Sequence, residues 1–130
     1  KLPLARGFSF GRTWYPRADQ GVRWAYDDAV VSYFNPNDRP LSVDVELRLL
    51  AVTEREITLR HRERVLRRVR VGPEPITVNL GELELTPGIN LIEMTSDLPA
   101  RRTGSGQYQL RSFGLAEARV RARAPITMLD

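Results

Sequence analysis

Apolar and polar residues alternate along the segment Leu41–Ala51. All its odd-numbered positions are apolar, whereas Asp44, Glu46 and Arg48 lie between them. A period of two residues indicates a β-strand with one dry face and one wet face. A helix would place Asp44 and Arg48 on the same stripe as Val45 and would bury charge. The segment therefore predicts a long strand whose dry face must be covered by a second sheet.

Shorter alternations, bounded by turn residues, predict further strands along the chain. In order, these segments are Ala5–Phe10, Val22–Tyr26, Ala29–Phe34, Arg55–His61, Val65–Val71, Ile76–Leu80, Leu83–Leu85, Ile89–Thr95 and a strand pair within Tyr108–Arg123. Arg62 and Glu63 form a tight polar turn that joins two of them into a hairpin, where Asn-Gly is the usual pair. Arg67 breaks the alternation of the returning strand, which indicates a bulge or an edge position. Gly114 is expected at another bulge.

Two segments depart from simple alternation. Apolar residues lie on both faces of Ala29–Phe34, so this segment is expected to be a central strand that is covered on both sides. The polar stretch Asp97–Gly106 is expected to be a mobile loop, and residues 124–130 are expected to be a tail. No long apolar face with a helical period appears. The pattern therefore predicts a single all-β domain over residues 1–130, an antiparallel β-sandwich of jelly-roll type with eight or nine strands.

Composition restricts the chemistry that the chain can perform. It contains no cysteine, which removes disulfides, thiolate metal sites and cysteine nucleophiles. The net charge of +4 comes almost entirely from arginines interleaved with acidic residues, which is typical of a solvated surface. Six arginines could form a basic face, namely Arg64, Arg68, Arg70, Arg119, Arg121 and Arg123. No aromatic residue shares their outward parity, so nucleic acid is not expected as a partner.

The sequence contains no catalytic signature. His61, the single histidine, has the inward parity of Ile57 and Leu59, and no serine nucleophile or carboxylate is placed beside it. It is interpreted as a packing or hydrogen-bonding residue at a strand end, and the domain is not expected to be an enzyme or to carry a cofactor. Five residues could supply oxygen ligands to calcium, namely Asp27, Asp28, Asn35, Asn37 and Asp38. Calcium therefore stays an open alternative.

The densest aromatic segment lies near the start of the chain. Trp14 and Tyr15 lead into a polar loop, and Asp19 and Arg23 follow closely. An exposed aromatic ring can stack on a sugar ring while Asp or Arg bonds to the hydroxyls, so these four residues are candidates for carbohydrate binding. The alternative is that Trp14 and Tyr15 pack at one end of the sandwich. Trp24 is expected to lie in the core.

Several segments, taken in order, resemble a known fold family. Strands Ile57–Leu59 and Val69–Val71 are followed by Val78–Leu80 and then by Leu85–Glu93, which contains Pro-Gly, Asn90 and Leu91 in sequence. This layout is similar to that of galactose-binding-like jelly rolls. The resemblance implies a domain of the kind that binds sugars or accompanies sugar-active enzymes.

A second resemblance is narrower. Gly11–Tyr15, Arg23–Ala25, Asn35-Pro36 and Ser96–Ala100 together resemble the soluble C-terminal domain of certain bacterial multi-spanning membrane glycosyltransferases. This implies an accessory module, excised from a longer chain, on the extracytoplasmic face of a bacterial membrane, in contact with glycan or with the parent protein's membrane domain. No segment here is apolar enough to span a membrane, so membrane attachment is expected only through a tether outside these residues.

The alternative function is a structural or protein-interaction domain that binds no glycan. It predicts an exposed apolar or arginine-rich patch that is matched to a partner.

Overall fold

The computed structural model describes residues 8–103 and 109–123, and eleven β-strands make up most of this part of the chain. In chain order they are β1 (Phe8–Phe10), β2 (Arg23–Ala25), β3 (Ala29–Asn35), β4 (Leu41–Leu50), β5 (Arg55–His61), β6 (Arg64–Val71), β7 (Ile76–Leu85), β8 (Gly88–Ser96), β9 (Arg101–Arg102), β10 (Leu110–Arg111) and β11 (Phe113–Ala122). Within these ranges, no helix has the length and apolar character needed to cross a membrane.

The strands form two main antiparallel sheets and one small pair. Five strands lie in the order β1-β3-β8-β5-β6, four lie in the order β2-β11-β4-β7, and β9 pairs with β10. Apolar residues of both larger sheets pack into one buried cluster, so the sheets enclose a single core. The predicted antiparallel sandwich of jelly-roll type is confirmed. The described strands outnumber the expected eight or nine partly because β9 and β10, with two residues each, form a pair of their own.

Strand β4 lies inside the four-stranded sheet, between β11 and β7, as its long alternation requires. Val43, Val45, Leu47 and Leu49 are almost fully buried and face the core. Burial of an aliphatic side chain of this size contributes about 1.5–3 kcal/mol relative to its exposure. The predicted long strand is therefore a central element of the sandwich.

The outer face of the four-stranded sheet carries arginines on β11 that lie opposite acidic residues on β4. Arg119 lies opposite Glu46, and Arg121 lies opposite Asp44. Arg123 Nη2 is 3.1 Å from an Asp44 carboxylate oxygen. Opposite charges at cross-strand positions stabilise a pairing by about 0.2–1 kcal/mol. The other three arginines of the basic face considered above belong to β6 in the other sheet, so the six residues do not share one surface.

Strands β5 and β6 form the predicted hairpin, and β6 lies at the edge of its sheet. The pairing shifts between Leu59 and Arg60, which leaves Leu66 as the extra residue of a bulge. Both interpretations of this irregular strand, a bulge and an edge position, are confirmed. The bulge expected at Gly114 was wrong, because the register of β11 shifts between Leu115 and Glu117 instead.

Strand β3 is central in its sheet but is covered on one face only. It pairs with β1 on one side and with β8 on the other. Val31 is buried in the core, whereas Phe34 on the opposite face is 55% exposed. The expectation of a doubly covered strand was wrong, since no third layer lies over this sheet in the part of the chain that the structure describes.

The strand registers define two ends of the sandwich. Ala29 of β3 pairs with Met94 at one end, and Asn35 pairs with Gly88 at the other. We call the first the loop end, which contains residues 11–22, 97–100 and the β9–β10 pair. We call the second the turn end, which contains residues 36–40, the β5–β6 turn and the β7–β8 turn. Residues 104–106 of the expected mobile loop, Tyr108 and the tail lie outside the described residues.

Candidate functional site at the loop end

Trp14 is a core residue in the structure. Its side chain is 4% exposed, and its indole Nε1 donates a hydrogen bond to the carbonyl oxygen of Val30 at 3.0 Å. Edge-to-face contacts join its ring to Phe10, with centroids 5.2 Å apart, and to Phe113, with centroids 5.8 Å apart. A ring in this position has no face open to a ligand, and the packing alternative therefore describes Trp14.

Trp24 is buried, but on the outer face of the four-stranded sheet rather than in the core. It pairs with Gly114, while its neighbour Ala25 faces inward. A Cβ atom on Gly114 would lie 3.0 Å from Trp24 Cε3 and 2.5 Å from Val22 Cγ1, so only glycine lets the indole lie this close. The guanidinium of Arg111 covers the ring, with Cζ 4.7 Å from the ring centroid. Trp24 is therefore buried, as expected, although its strand parity places it on the opposite face of the sheet from the main apolar cluster.

Among the described residues, two tyrosines form an aromatic pair at the surface of this end. The rings of Tyr15 and Tyr26 lie 5.0 Å apart at an angle of 45°, and Tyr26 is 36% exposed. The Tyr15 hydroxyl donates to the carbonyl oxygen of Leu110, and that of Tyr26 donates to the carbonyl oxygen of Arg12, both at 2.7 Å. These bonds hold both phenol rings in place. Sequence reasoning included Tyr15 but missed Tyr26, whose shared strand face with Trp24 was the available signal.

Asp19 forms an ion pair with Arg111, which follows Leu110, the residue whose carbonyl oxygen accepts from the Tyr15 hydroxyl. Asp19 Oδ2 is 2.6 Å from Arg111 Nη2, and the two side chains are 44% and 19% exposed. The turn that carries Asp19 is closed by two backbone hydrogen bonds with Val22, of 2.8 and 3.1 Å. Gln20 and Gly21 at its tip both have positive φ. Asp19 and Arg111 thus join two loops that are distant in sequence.

Arg23 holds the loop that follows Trp14 through hydrogen bonds to its backbone. Its Nη1 donates to the carbonyl oxygens of Tyr15, at 3.1 Å, and Pro16, at 2.6 Å. Its Cζ lies 4.5 Å from the ring centroid of Phe10, a cation–π contact. Its Nε is buried and has no partner in the described ranges. Of the four predicted residues, Tyr15 and Asp19 therefore present polar or aromatic groups at the surface, whereas Trp14 and Arg23 hold the loop that carries them.

A buried arginine, Arg55, holds together several other segments of the loop end. Arg55 is 0% exposed, and the three N–H groups of its Nε and Nη1 are shared among five acceptors, while Nη2 is buried without a partner in the described ranges. The acceptors are the carbonyl oxygens of Thr53, Leu98 and Pro99 and the hydroxyls of Ser96 and Ser112, at 2.9–3.4 Å. Arg55 thereby ties the start of β5 to the chain that leads into β9 and out of β10.

Among the described residues, no carboxylate forms an ion pair with the guanidinium of Arg55. Burial lowers the pKa of Arg55, and the nearby Asp97 carboxylate opposes this effect. A guanidinium keeps its proton in proteins, so the site contains a buried cation held by neutral acceptors. Sequence reasoning gave Arg55 no role, although its place on the inward parity with Ile57 and Leu59 was the signal.

The residues considered for calcium do not come together. Asp27 and Asp28 lie at the loop end, where Asp28 Oδ1 accepts a hydrogen bond from the Ser96 backbone at 2.9 Å. Asn35 lies at the turn end, and its Oδ1 accepts from the backbone and the side chain of Asn37 at 3.0 and 2.9 Å. Asp38 follows Asn37 there. Among the described residues, no three His, Cys, Asp or Glu side chains are grouped as a metal ion would require.

Comparisons with known proteins bear on the fold. No protein-family model and no curated protein sequence matches the chain. Among solved structures, a GH26-CBM35 β-(1,4)-mannanase from Podospora anserina is 12% identical, with a TM-score of 0.54 over 98% of this chain and 28% of its own. A family 35 carbohydrate-binding module from an environmental isolate is 13% identical, with a TM-score of 0.52 over 88% of this chain and 85% of its own.

A further neighbour is the C-terminal CBM6 of the laminarinase LamC from Zobellia galactanivorans. It is 11% identical, with a TM-score of 0.52 over 92% of this chain and 96% of its own. At these identities the likeness concerns the fold alone. The domain thus has the jelly-roll sandwich fold found in carbohydrate-binding modules. It spans 28% of the mannanase chain and 33% of the matched chain of a Clostridium thermocellum carbohydrate esterase.

Proposed function

We propose that this domain is a non-catalytic carbohydrate-binding module whose ligand lies against Tyr15 and Tyr26. The observation that carries the proposal is this rigid, partly exposed tyrosine pair, which is joined through Leu110 to Arg111 and its ion pair with Asp19. The likeness of the fold to known carbohydrate-binding modules supports it.

The chemistry of the site suits a neutral sugar. The apolar face of a pyranose ring can stack on a phenol ring, and carbohydrate sites combine such surfaces with a few fixed polar groups. The Asp19 carboxylate is partly exposed and can accept hydrogen bonds from sugar hydroxyls. Because Arg111, Arg23 and Arg55 hold the surrounding loops, binding requires little reorganisation, which favours affinity.

The wider context remains part of the proposal. The sequence resemblance supports a module attached to a membrane glycosyltransferase-like protein on the extracytoplasmic face of a bacterial membrane. The complete coding sequence tests this directly: several apolar spans in the same reading frame would support it, and a reading frame without them would contradict it.

A second candidate function is favoured by one patch on the outer face of the five-stranded sheet. Phe34, Ile89 and Leu91 are 55%, 69% and 45% exposed, and Phe34 pairs directly with Ile89. Exposed apolar patches of this kind mark protein-interaction surfaces. Contact with another domain of a parent protein would use this patch and would leave the tyrosine pair free.

Glycan-array screening followed by calorimetry tests the main proposal. We expect Tyr26→Ala to weaken glycan binding about five- to thirtyfold, because it removes a stacking surface worth about 1–2 kcal/mol. Phe34→Ala is the matched control, since it removes an exposed aromatic ring at the opposite end and should leave the affinity unchanged.

Two results would contradict the proposal. One is the absence of glycan binding by the folded domain. The other is an equal effect of Tyr26→Ala and Phe34→Ala. The second candidate would be favoured if the domain bound no glycan but bound another domain of the parent protein, and if Ile89→Asp abolished that binding.

A further inference from the structure

Trp24 lies directly beside the tyrosine pair. Trp14 pairs with Ala25 in an isolated antiparallel bridge, and the backbone N–H of Tyr15 donates to the carbonyl oxygen of Trp24 at 2.9 Å. Residues that lie opposite each other in an antiparallel pair point to the same side, so Tyr15 and Trp24 share one face. Tyr26, two residues after Trp24, points to that face as well. The three aromatic residues therefore form one group on the outer surface of the loop end.

The indole of Trp24 lies close against the sheet. Its partner in the β2–β11 pairing is Gly114, where a Cβ atom would lie 3.0 Å from Cε3 and 3.2 Å from Cδ2 of the ring. A glycine inside a strand often marks a point where another group approaches the backbone closely. The ring thus has one side against the sheet and the other side away from it.

The guanidinium of Arg111 covers the side of the ring that points away from the sheet. Its Cζ is 4.7 Å from the centroid of the Trp24 ring. Trp24 is 6% exposed, whereas the side chain of Arg111 is 19% exposed. Because the guanidinium is the more exposed of the two groups, it lies between the ring and the solvent. A sugar that stacked on Trp24 would occupy the same position, so Arg111 and a sugar exclude each other there.

Arg111 is held over the ring by its side chain and by its backbone. Its Nη2 is 2.6 Å from Asp19 Oδ2, and two backbone hydrogen bonds with Val22 close the turn that carries Asp19. Its backbone pairs with Arg101 in the β9–β10 pair. A ligand would have to break both the ion pair and the cation–π contact to reach the indole of Trp24.

We propose that Arg111 is a specificity-determining residue, which closes the aromatic surface at Trp24 and restricts stacking to one sugar unit on the tyrosine pair. The wild-type domain then binds short glycans and the ends of glycan chains as tightly as it binds long chains, because a second sugar unit finds the next aromatic ring covered. This inference rests on the proposed carbohydrate binding at Tyr15 and Tyr26.

Acrylamide quenching of tryptophan fluorescence tests the cover without any glycan. Trp14 and Trp24 are the two tryptophans of the chain, and Trp14 is a core residue. We expect Arg111→Ala to raise the quenching constant about twofold, because the loss of the cation–π cover makes Trp24 accessible. Arg101→Ala is the matched control, since it removes the same charge from the paired position of β9 and should leave quenching unchanged. Equal quenching of the wild type and Arg111→Ala would overturn the inference.

Calorimetry with the mono-, di- and trisaccharide of the sugar that the glycan array selects tests the restriction. The wild type and Arg101→Ala should bind all three lengths with the same affinity. Arg111→Ala should bind the two longer glycans about fivefold more tightly than the monosaccharide, because Trp24 adds a stacking surface. The longer glycans should also shift the tryptophan emission of Arg111→Ala, whereas the monosaccharide should not. Comparing lengths within one protein removes any general effect of the substitution on affinity.

The outcomes separate this inference from the proposed function. A wild-type affinity that rises with glycan length would overturn the inference and leave carbohydrate binding intact. The same holds for an Arg111→Ala protein that binds all three lengths equally. Absence of glycan binding by both folded proteins would overturn the proposed function and this inference together.

Discussion

The two ends of the sandwich are closed by different chemistry. At the loop end, the ionised guanidinium of Arg55 collects acceptors from three separate segments. At the turn end, the neutral amide side chains of asparagines donate the hydrogen bonds to the backbone carbonyl oxygens. The Asn90 amide donates to the carbonyl oxygens of Thr86 and Gly88 at 2.9 and 3.1 Å, and Asn35 donates to Leu85 at 3.0 Å.

The difference follows from the length of the connections. A short amide can satisfy a tight turn within a few residues of itself, because it mimics a backbone group. Long loops leave carbonyl groups that are buried and far apart, and only a long side chain with several donors reaches them. The loop end therefore relies on charged arginine side chains, among which Arg55 has the most acceptors, whereas the turn end uses neutral amides. We expect the two ends to respond differently to substitution.

The largest effect should come from Arg55→Met, which removes every donor and leaves the loop carbonyls unsatisfied. We expect it to lower the free energy of unfolding by about 3 kcal/mol or more, measured by urea denaturation. Arg70→Met is the matched control. Its guanidinium is exposed in a surface ion pair, so the change should stay below about 1 kcal/mol. Equal effects of the two variants would show that the loop end does not rely on the buried cation.

An intermediate effect is expected for Gly114→Ala at the same end. The added Cβ would lie 2.5 Å from Val22 Cγ1 and 3.0 Å from Trp24 Cε3. Overpacking of this kind destabilises by about 1–3 kcal/mol, which thermal or urea unfolding would detect. Gly72→Ala serves as the control, because no atom lies within 4 Å of its added Cβ. A stable Gly114→Ala protein would mean that Trp24 can move away from β11 without loss.

The smallest effect concerns the turn end and its pH dependence. Because the pKa of His61 is lowered in the folded state, the unfolded chain binds a proton at a higher pH than the folded chain does. The stabilising contribution of neutral His61 is therefore present above the ordinary histidine pKa of about 6.5, and it is lost as the pH falls below that value.

Urea unfolding of the wild type and of His61→Gln, at several pH values from 7.5 downward, measures this contribution. We expect the wild type to lose stability faster than the variant below the ordinary histidine pKa. Parallel curves would show that His61 has the same pKa in both states.

Most of the strand architecture follows from residue alternation. The bounds of β4 differ from the predicted segment only by Ala51, and β5 matches its predicted segment. The hairpin turn at Arg62 was also foreseen, since polar residues separate two alternating runs. These features depend on neighbours in sequence, and a strand places every second side chain on one face.

The candidate site was foreseen only in part. Tyr15 and Asp19 were predicted, and the structure places Tyr15 against Tyr26 and Asp19 against Arg111. Arg111 lies 92 residues from Asp19, and no local pattern links them. Trp14 and Trp24 are both buried, and the register of β2 against β11 places Trp24 on the face of the sheet opposite the main apolar cluster.

The sequence by itself determined the all-β class, the hairpin and the dry face of β4, because these follow from the period of the backbone within a short segment. The tertiary structure alone decided which distant residues meet: Arg55 with Ser112, Asp19 with Arg111 and Trp24 with Gly114. Such contacts depend on how strands from separate parts of the chain pair and stack. Residue alternation within one strand predicts its two faces, but it does not predict which strands lie next to it.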